Sequence, residues 1–187
     1  MERPIAQIAS AKIYDTPLGP FGVLFSSDTE HILASGFTRD LDRLAQMVKG
    51  AQVVDHDCHR EVAGSVGEYL EAYFSGQPAT LSAALNLDQD GTGFQGAVWK
   101  EIAKIAFAAT ASYGEIATKI GRPKSYRATG TACASNRIAL FIPCHRVVAT
   151  SGTSGQYRWG PELKAKLLSH ERSHAPRPIS KPMLNQE

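Results

Sequence analysis

Tyr113-Gly114-Glu115-Ile116-Ala117-Thr118-Lys119-Ile120-Gly121-Arg122-Pro123, and after it Ser125-Tyr126-Arg127-Ala128-Thr129-Gly130-Thr131-Ala132-Cys133-Ala134-Ser135-Asn136, read as two helices separated by a tight turn. Tyr113, Ile116, Ala117 and Ile120 recur at the spacing of one helix face, and Gly121-Arg122-Pro123 ends that helix. The second segment is dominated by small residues. Helix, tight turn, helix is the outline of a helix-turn-helix. Small side chains let the second helix come very close to a neighbour, and on pattern alone that neighbour is either another helix or a DNA groove.

Upstream, Phe94, Val98, Ile102 and Ile105 form a further apolar stripe, so this half of the chain is mainly helical. Val62, Val66, Tyr69, Leu70 and Tyr73 line one face of an earlier helix that stops near Gly76-Gln77-Pro78, and the polar stretch from there to Gly93 marks an internal boundary. Before it, Lys12-Ile13-Tyr14, Phe21-Gly22-Val23-Leu24-Phe25 and His31-Ile32-Leu33-Ala34 are extended segments broken by turn residues, a small antiparallel meander. Leu41, Leu44, Ala45 and Val48 keep helical spacing behind a cap at Asp40, and Val53-Val54 returns as a further strand. The expected fold class is α/β. A small antiparallel sheet with helices and a linker occupies 1–92, a mainly helical part with the helix-turn-helix occupies 93–171, and the proline-rich polar tail 172–187 reads as disordered.

The chain has 187 residues, 43% of them hydrophobic, enough for one domain or two small ones sharing a core. Three cysteines, an odd number, argue against a disulfide framework and for a reducing compartment, so a cytoplasmic protein with free thiols is expected. No segment reaches the length of a membrane span, and Met1-Glu2-Arg3-Pro4 opens no apolar leader, so no membrane partner is expected. A net charge of +2 is compatible with nucleic acid binding and decides nothing alone.

Chemistry concentrates in Leu140-Phe141-Ile142-Pro143-Cys144-His145-Arg146-Val147-Val148, read as a buried apolar strand that holds a cysteine, a histidine and an arginine. A thiol near its ordinary pKa of about 8.5 is mostly protonated at neutral pH, so nucleophilic use needs a base or a positive field. His145 supplies that base directly or through a water, and Glu171, on an expected C-terminal helix, is the candidate to orient the imidazole. An isolated Cys-His pair more often records a buried cysteine beside a core histidine.

Taken together, Phe94-Gln95-Gly96-Ala97-Val98-Trp99, Ser112-Tyr113-Gly114-Glu115-Ile116-Ala117, Arg127-Ala128, Asn136, Ile142-Pro143-Cys144-His145-Arg146-Val147-Val148, Tyr157-Arg158-Trp159-Gly160, Lys164 and Leu167-Leu168-Ser169-His170-Glu171 stand in family-like order and spacing. The sequence resembles the O6-alkylguanine-DNA alkyltransferases (methylated-DNA-protein-cysteine methyltransferases), with its C-terminal half most similar to bacterial Ada-type and Ogt-type members. Weaker similarity extends through Thr16-Pro17-Leu18-Gly19-Pro20 and Tyr69-Leu70-Glu71-Ala72-Tyr73-Phe74. The resemblance implies a ribonuclease H-like N-terminal part and a winged-helix-like C-terminal part. It implies direct repair of O6-alkylguanine, and of O4-alkylthymine, by base flipping and irreversible transfer of the alkyl group to Cys144. His145 then draws the thiol proton through a water, Glu171 supports His145, and Asn136 holds the neighbouring turn. Tyr113 presses on the target phosphate and assists the leaving guanine, Arg127 fills the vacated place in the stack, and Ser125, Ala128 and Thr129 join the DNA face in the minor groove. Pro143, Val147, Val148, Tyr157, Arg158 and Trp159 are expected around the substrate pocket. The resemblance further implies double-stranded DNA bearing the lesion as partner, action as a monomer, and no cofactor or catalytic metal.

Three departures, a candidate metal site and three alternatives accompany this reading. Where the family shows Ile-Pro-x-Gly, this chain has Ile105-Ala106-Phe107-Ala108, and Ser154 and Gln156 replace an apolar residue and a glycine on a loop expected to border the pocket. His56-Asp57-Cys58-His59 is a candidate structural zinc site with no evident fourth ligand. A damage-flagging relative lacks an acceptor cysteine, whereas Cys144 is present; a cysteine hydrolase or a simple regulator leaves Tyr113 and Arg127 without a role.

Overall fold

The computed structural model describes residues 7–77, 85–150 and 155–175; most of the expected tail, 176–187, and Ser154 lie outside them. Strand β1 (Gln7–Thr16) turns at Gly19 into β2 (Gly19–Ser26), which pairs with it antiparallel, and β3 (Ile32–Gly36) adds antiparallel to β2. Helix α1 (Leu41–Ala45) follows, capped as expected by the Asp40 carboxylate, which accepts from the Arg43 backbone N–H. Strand β4 (Ala51–Asp55) then pairs with β1 in parallel, giving the order β3-β2-β1-β4. The sheet is therefore mixed, where an antiparallel one was expected. A helical crossover returns the chain to the end it left, so β4 runs in the direction of β3 and hence of β1.

Helix α2 (Glu61–Phe74) buries Val66, Tyr69, Leu70 and Tyr73 and ends at Gly76, whose φ of +78° suits glycine. The later part holds α3 (Gly93–Ala103), β5 (Ala111–Ser112), α4 (Tyr113–Lys119), α5 (Tyr126–Ser135), β6 (Val147–Val148) and α6 (Pro161–Ser173). Capping boxes fix the starts of α3 (Thr92 with Gln95) and α4 (Ser112 with Glu115), each satisfying two backbone donors that a helix start leaves over.

The β3 edge is not left open. Ser35 receives the strand-like segment after α5, its N–H donating to Arg137 O at 2.8 Å and its hydroxyl to Ala139 O at 2.9 Å. The main core is correspondingly continuous: Phe21, Phe25, Val66 and Tyr73 pack in one cluster with Val98, Ile102, Ile116, Ile138, Phe141 and Leu167. Leu24, Leu33, Leu44 and Val48 fill the other face of the sheet beneath α1. No helix among the described residues is long and apolar enough to cross a membrane.

Candidate active site

Cys144 does not lie in a strand. It opens a 3₁₀ turn, Cys144–Arg146, and the strand shrinks to Val147–Val148, paired in parallel with Ala111–Ser112. Pro143 offers no N–H to a ladder, and Leu140 sits at a φ of +65°, so an apolar run that reads as extended is coiled instead. The turn is closed by Cys144 N–H to Ile142 O at 2.8 Å and Arg146 N–H to Pro143 O at 2.9 Å.

Asn136, the residue that ends α5, holds this turn from the side. Its Nδ2 donates to Ile142 O at 2.9 Å and to Cys144 Sγ at 3.2 Å, while its Oδ1 accepts from the Ile138 N–H at 3.0 Å. Cys144 remains partly exposed. Burial pushes its thiol above the usual range, and the Asn136 amide, the Lys164 ammonium and Arg158 pull the other way. Lys164 is fully buried and donates its Nζ to Val147 O at 2.6 Å.

His145 and Glu171 are fully enclosed, with Nε2 2.8 Å from Oε1. Because the carboxylate accepts at Nε2, the proton belongs there and Nδ1 is the ring's free acceptor; it has no partner among the described residues. Burial lowers the His145 pKa against the opposing pull of Glu171, so the imidazole is neutral at pH 7. Glu171 is the hub of the site. Arg146 Nε meets both its oxygens at 3.1 and 3.0 Å, Arg146 Nη2 adds 2.9 Å, Tyr73 donates its hydroxyl at 2.8 Å, and the Ala108 N–H donates at 3.0 Å. Burial opposes ionisation, but the hydrogen bonds and charges of His145 and Arg146 outweigh it and hold the carboxyl at about 2.

A pocket of about 230 Å³ opens over Cys144, walled by Tyr113, Gly130, Cys133, Asn136, Tyr157, Arg158 and Trp159. Trp159 is wedged against the N-terminal sheet: a Cβ on Gly36 would fall 1.8 Å from its ring, and Arg43 lies 5.2 Å over its face. Of the other residues expected here, Pro143 borders a separate cavity with Arg146 and Phe107, Val147 is fully buried in the core, and Val148 is half-buried beside it. On α5, Arg127 and Ala128 are exposed and Ser125 is half-buried, but Thr129 is fully buried with its hydroxyl donated to Ser125 O at 3.0 Å, so it faces the protein and not a ligand. His56, Asp57, Cys58 and His59 do not converge. Cys58 turns into the core, His59 pairs with Asp57 at the surface, and no group of three metal-ligating side chains forms among the described residues.

Sequence reasoning left Arg146, Tyr73 and Lys164 without roles. Arg146 was visible as a charge in an apolar run, which always asks for a buried partner; Tyr73 was hidden as one more residue of a helix stripe.

The described geometry has close counterparts. Along 161 residues, 86% of this chain and 97% of the relative, it is 35% identical to a methylated-DNA--protein-cysteine methyltransferase of Methanosarcina acetivorans. The chain belongs to the methylated-DNA--protein-cysteine methyltransferase family. Residues 93–173 match the family model described as 6-O-methylguanine DNA methyltransferase, DNA binding domain. Over 87 residues, 46% of this chain and 25% of the relative, identity to the bifunctional transcriptional activator/DNA repair enzyme Ada of Escherichia coli is 49%. Among solved structures, that of Mycobacterium tuberculosis OGT in complex with DNA superposes with a TM-score of 0.72 at 33% identity, covering 90% of this chain and 96% of that one. The mixed α/β architecture, a small sheet joined to helices, is thus that of the methyltransferase family.

Proposed function

We propose that Cys144 is the alkyl acceptor of this methyltransferase. The protein repairs alkylated DNA by moving the alkyl group from the damaged base onto its own cysteine. The observation that carries the assignment to Cys144 is His145: Nε2 tied to Glu171, Nδ1 free as an acceptor, and the neighbouring residue a thiol that opens into a pocket. Nδ1 takes the Cys144 proton through one bridging water, and the anionic Glu171 stabilises the imidazolium that forms. The thiolate attacks the saturated alkyl carbon of O6-alkylguanine in line, the carbon–oxygen bond breaks, and the electron pair leaves with the guanine O6. Tyr113, on the pocket wall with its hydroxyl kept protonated chiefly by burial, donates to the leaving ring. The thioether product has no route to hydrolysis, so one molecule repairs one lesion.

For DNA engagement, the exposed Arg127 on α5 fills the place of the extruded base, and Ser125 and Ala128 contact the strand from the minor groove. The helix-turn-helix outline of α4 and α5 supports this; with it go a ribonuclease H-like reading of 1–92 and a winged-helix-like reading of 93–171. Activity on O4-alkylthymine, action as a monomer and a cytoplasmic setting complete the proposal, the last supported by three free cysteines. Intact mass and peptide mapping after incubation with an O6-methylguanine duplex test it. One methyl group on the Cys144 peptide, absent in Cys144→Ala, is the expected result; binding without added mass would make the protein a damage-flagging relative.

A further inference from the structure

Helix α5 carries only two large side chains, Tyr126 and Arg127, side by side in its first turn; the rest of Tyr126–Ser135 is Ala, Gly, Ser, Thr and Cys. Tyr126 is 51% exposed and packs into neither core cluster, while α5 buries Thr129, Ala132 and Cys133. An exposed tyrosine alone is unremarkable on a protein surface. This one is placed: Tyr126 and Arg127 stand four and three residues before Gly130, so each neighbours it on the helix surface, and Gly130 lines the Cys144 pocket. Gly130 contributes no side chain between them and that pocket. The Arg127 guanidinium carbon lies 5.8 Å from the centroid of the Tyr126 ring, within the range of a cation–π contact.

We propose that Tyr126 is a further DNA-contacting residue, forming with Arg127 a paired wedge that enters the base stack where the target nucleotide leaves it; this rests on the alkyl-transfer reading above. An aromatic face and a guanidinium plane both stack on nucleobases without regard to sequence, as repair of scattered lesions requires. Contact with the ring narrows the rotamers open to the long Arg127 side chain before DNA arrives, so less freedom is lost on insertion. Arg122 and Lys124, exposed in the turn before α5, are further cations available to the phosphates.

The test compares the wild type with Tyr126→Ala, Tyr126→Phe, Arg127→Ala and the double alanine variant, each reacting with an O6-methylguanine duplex and with free O6-benzylguanine. A 2-aminopurine beside the lesion reports extrusion. Tyr126→Ala should slow the duplex reaction and weaken the 2-aminopurine signal about tenfold, as loss of one stacking aromatic does. It should leave the free-base rate unchanged, and Tyr126→Phe should behave as wild type. The double variant should lose less than the product of the single losses. Wild-type duplex rates in Tyr126→Ala, equal losses on both substrates, a Phe variant as slow as Ala, or fully multiplicative losses would each overturn the wedge. Failure of the wild type to take methyl from the duplex would instead overturn the alkyl-transfer reading.

Discussion

The hydroxyl of Tyr73 on α2 lies 2.8 Å from Oε1 of Glu171 on α6, across 98 residues of sequence. The carboxylate that faces His145 is therefore gripped from the N-terminal part of the chain as well as from the turn that carries Cys144. Burial, together with the adjacent carboxylate, pushes the Tyr73 pKa far above its ordinary value, so it acts only as a donor here. Tyr73→Phe should cost about 1.5–3 kcal/mol, the range for a hydrogen bond to a charged group. Alkyl transfer should slow with it. Chemical denaturation and single-turnover rates check both; an unchanged protein would mean that Arg146 and His145 satisfy Glu171 unaided.

Acid should weaken the fold in two stages. His145 is held below its ordinary 6.5, so below that pH the unfolded chain binds a proton that the folded one refuses, and stability drops. Glu171 is lowered from 4.5 to about 2, so its contribution is present above about 4.5 and is lost as pH falls toward 2. Melting temperatures from pH 8 to pH 3 should decline below about 6.5 and more steeply below about 4.5. Glu171→Gln should remove the lower stage, and a melting temperature that rises on acidification would contradict the assignment.

Ala108 occupies a φ of +63° while giving its N–H to Glu171. A non-glycine residue there carries about 1–2 kcal/mol of steric cost. Glycine relieves it and gives back part through greater freedom in the unfolded chain, about 0.4–1 kcal/mol. Ala108→Gly should thus raise the melting temperature by a few degrees with transfer intact. Scanning calorimetry decides it, and a lower melting temperature would show that the methyl is used in packing.

Gly36→Ala puts a methyl where the Trp159 ring now lies. Overpacking of this kind costs about 1–3 kcal/mol. Displacing a pocket wall should slow methyl transfer, by up to about a hundredfold if the alkyl carbon is misplaced by an ångström. Rates with methyl and benzyl substrates, read beside tryptophan fluorescence, measure it; unchanged rates would show that Trp159 does not shape the reacting geometry.

Periodicity made most of the elements legible: α2, α3 and α4 stand where apolar spacing and the glycines at 76 and 121 put them, and α5 where a run of small residues follows the turn. What escaped were facts of pairing and partner. The parallel register of β4 depends on a crossover, which no local pattern in Ala51–Asp55 encodes. The run around Cys144 is apolar because it is buried, and burial does not distinguish a strand from a 3₁₀ turn. Cys144, His145 and Glu171 were legible from motifs. Tyr73 was not, because a hydrogen bond spanning 98 residues leaves no trace in the spacing of either partner; Arg146 showed only as a charge in an apolar run, without its partner.

The lacing of Ser35 to Arg137 and Ala139 has a bearing on how such proteins diverge. A chimera that grafts residues 93–173 onto a relative's first half inherits a foreign edge strand, a foreign seat for Trp159 and a foreign donor for Glu171. A change at Gly36 or Tyr73 is thus felt in the reactive half, through Trp159 and Glu171 respectively.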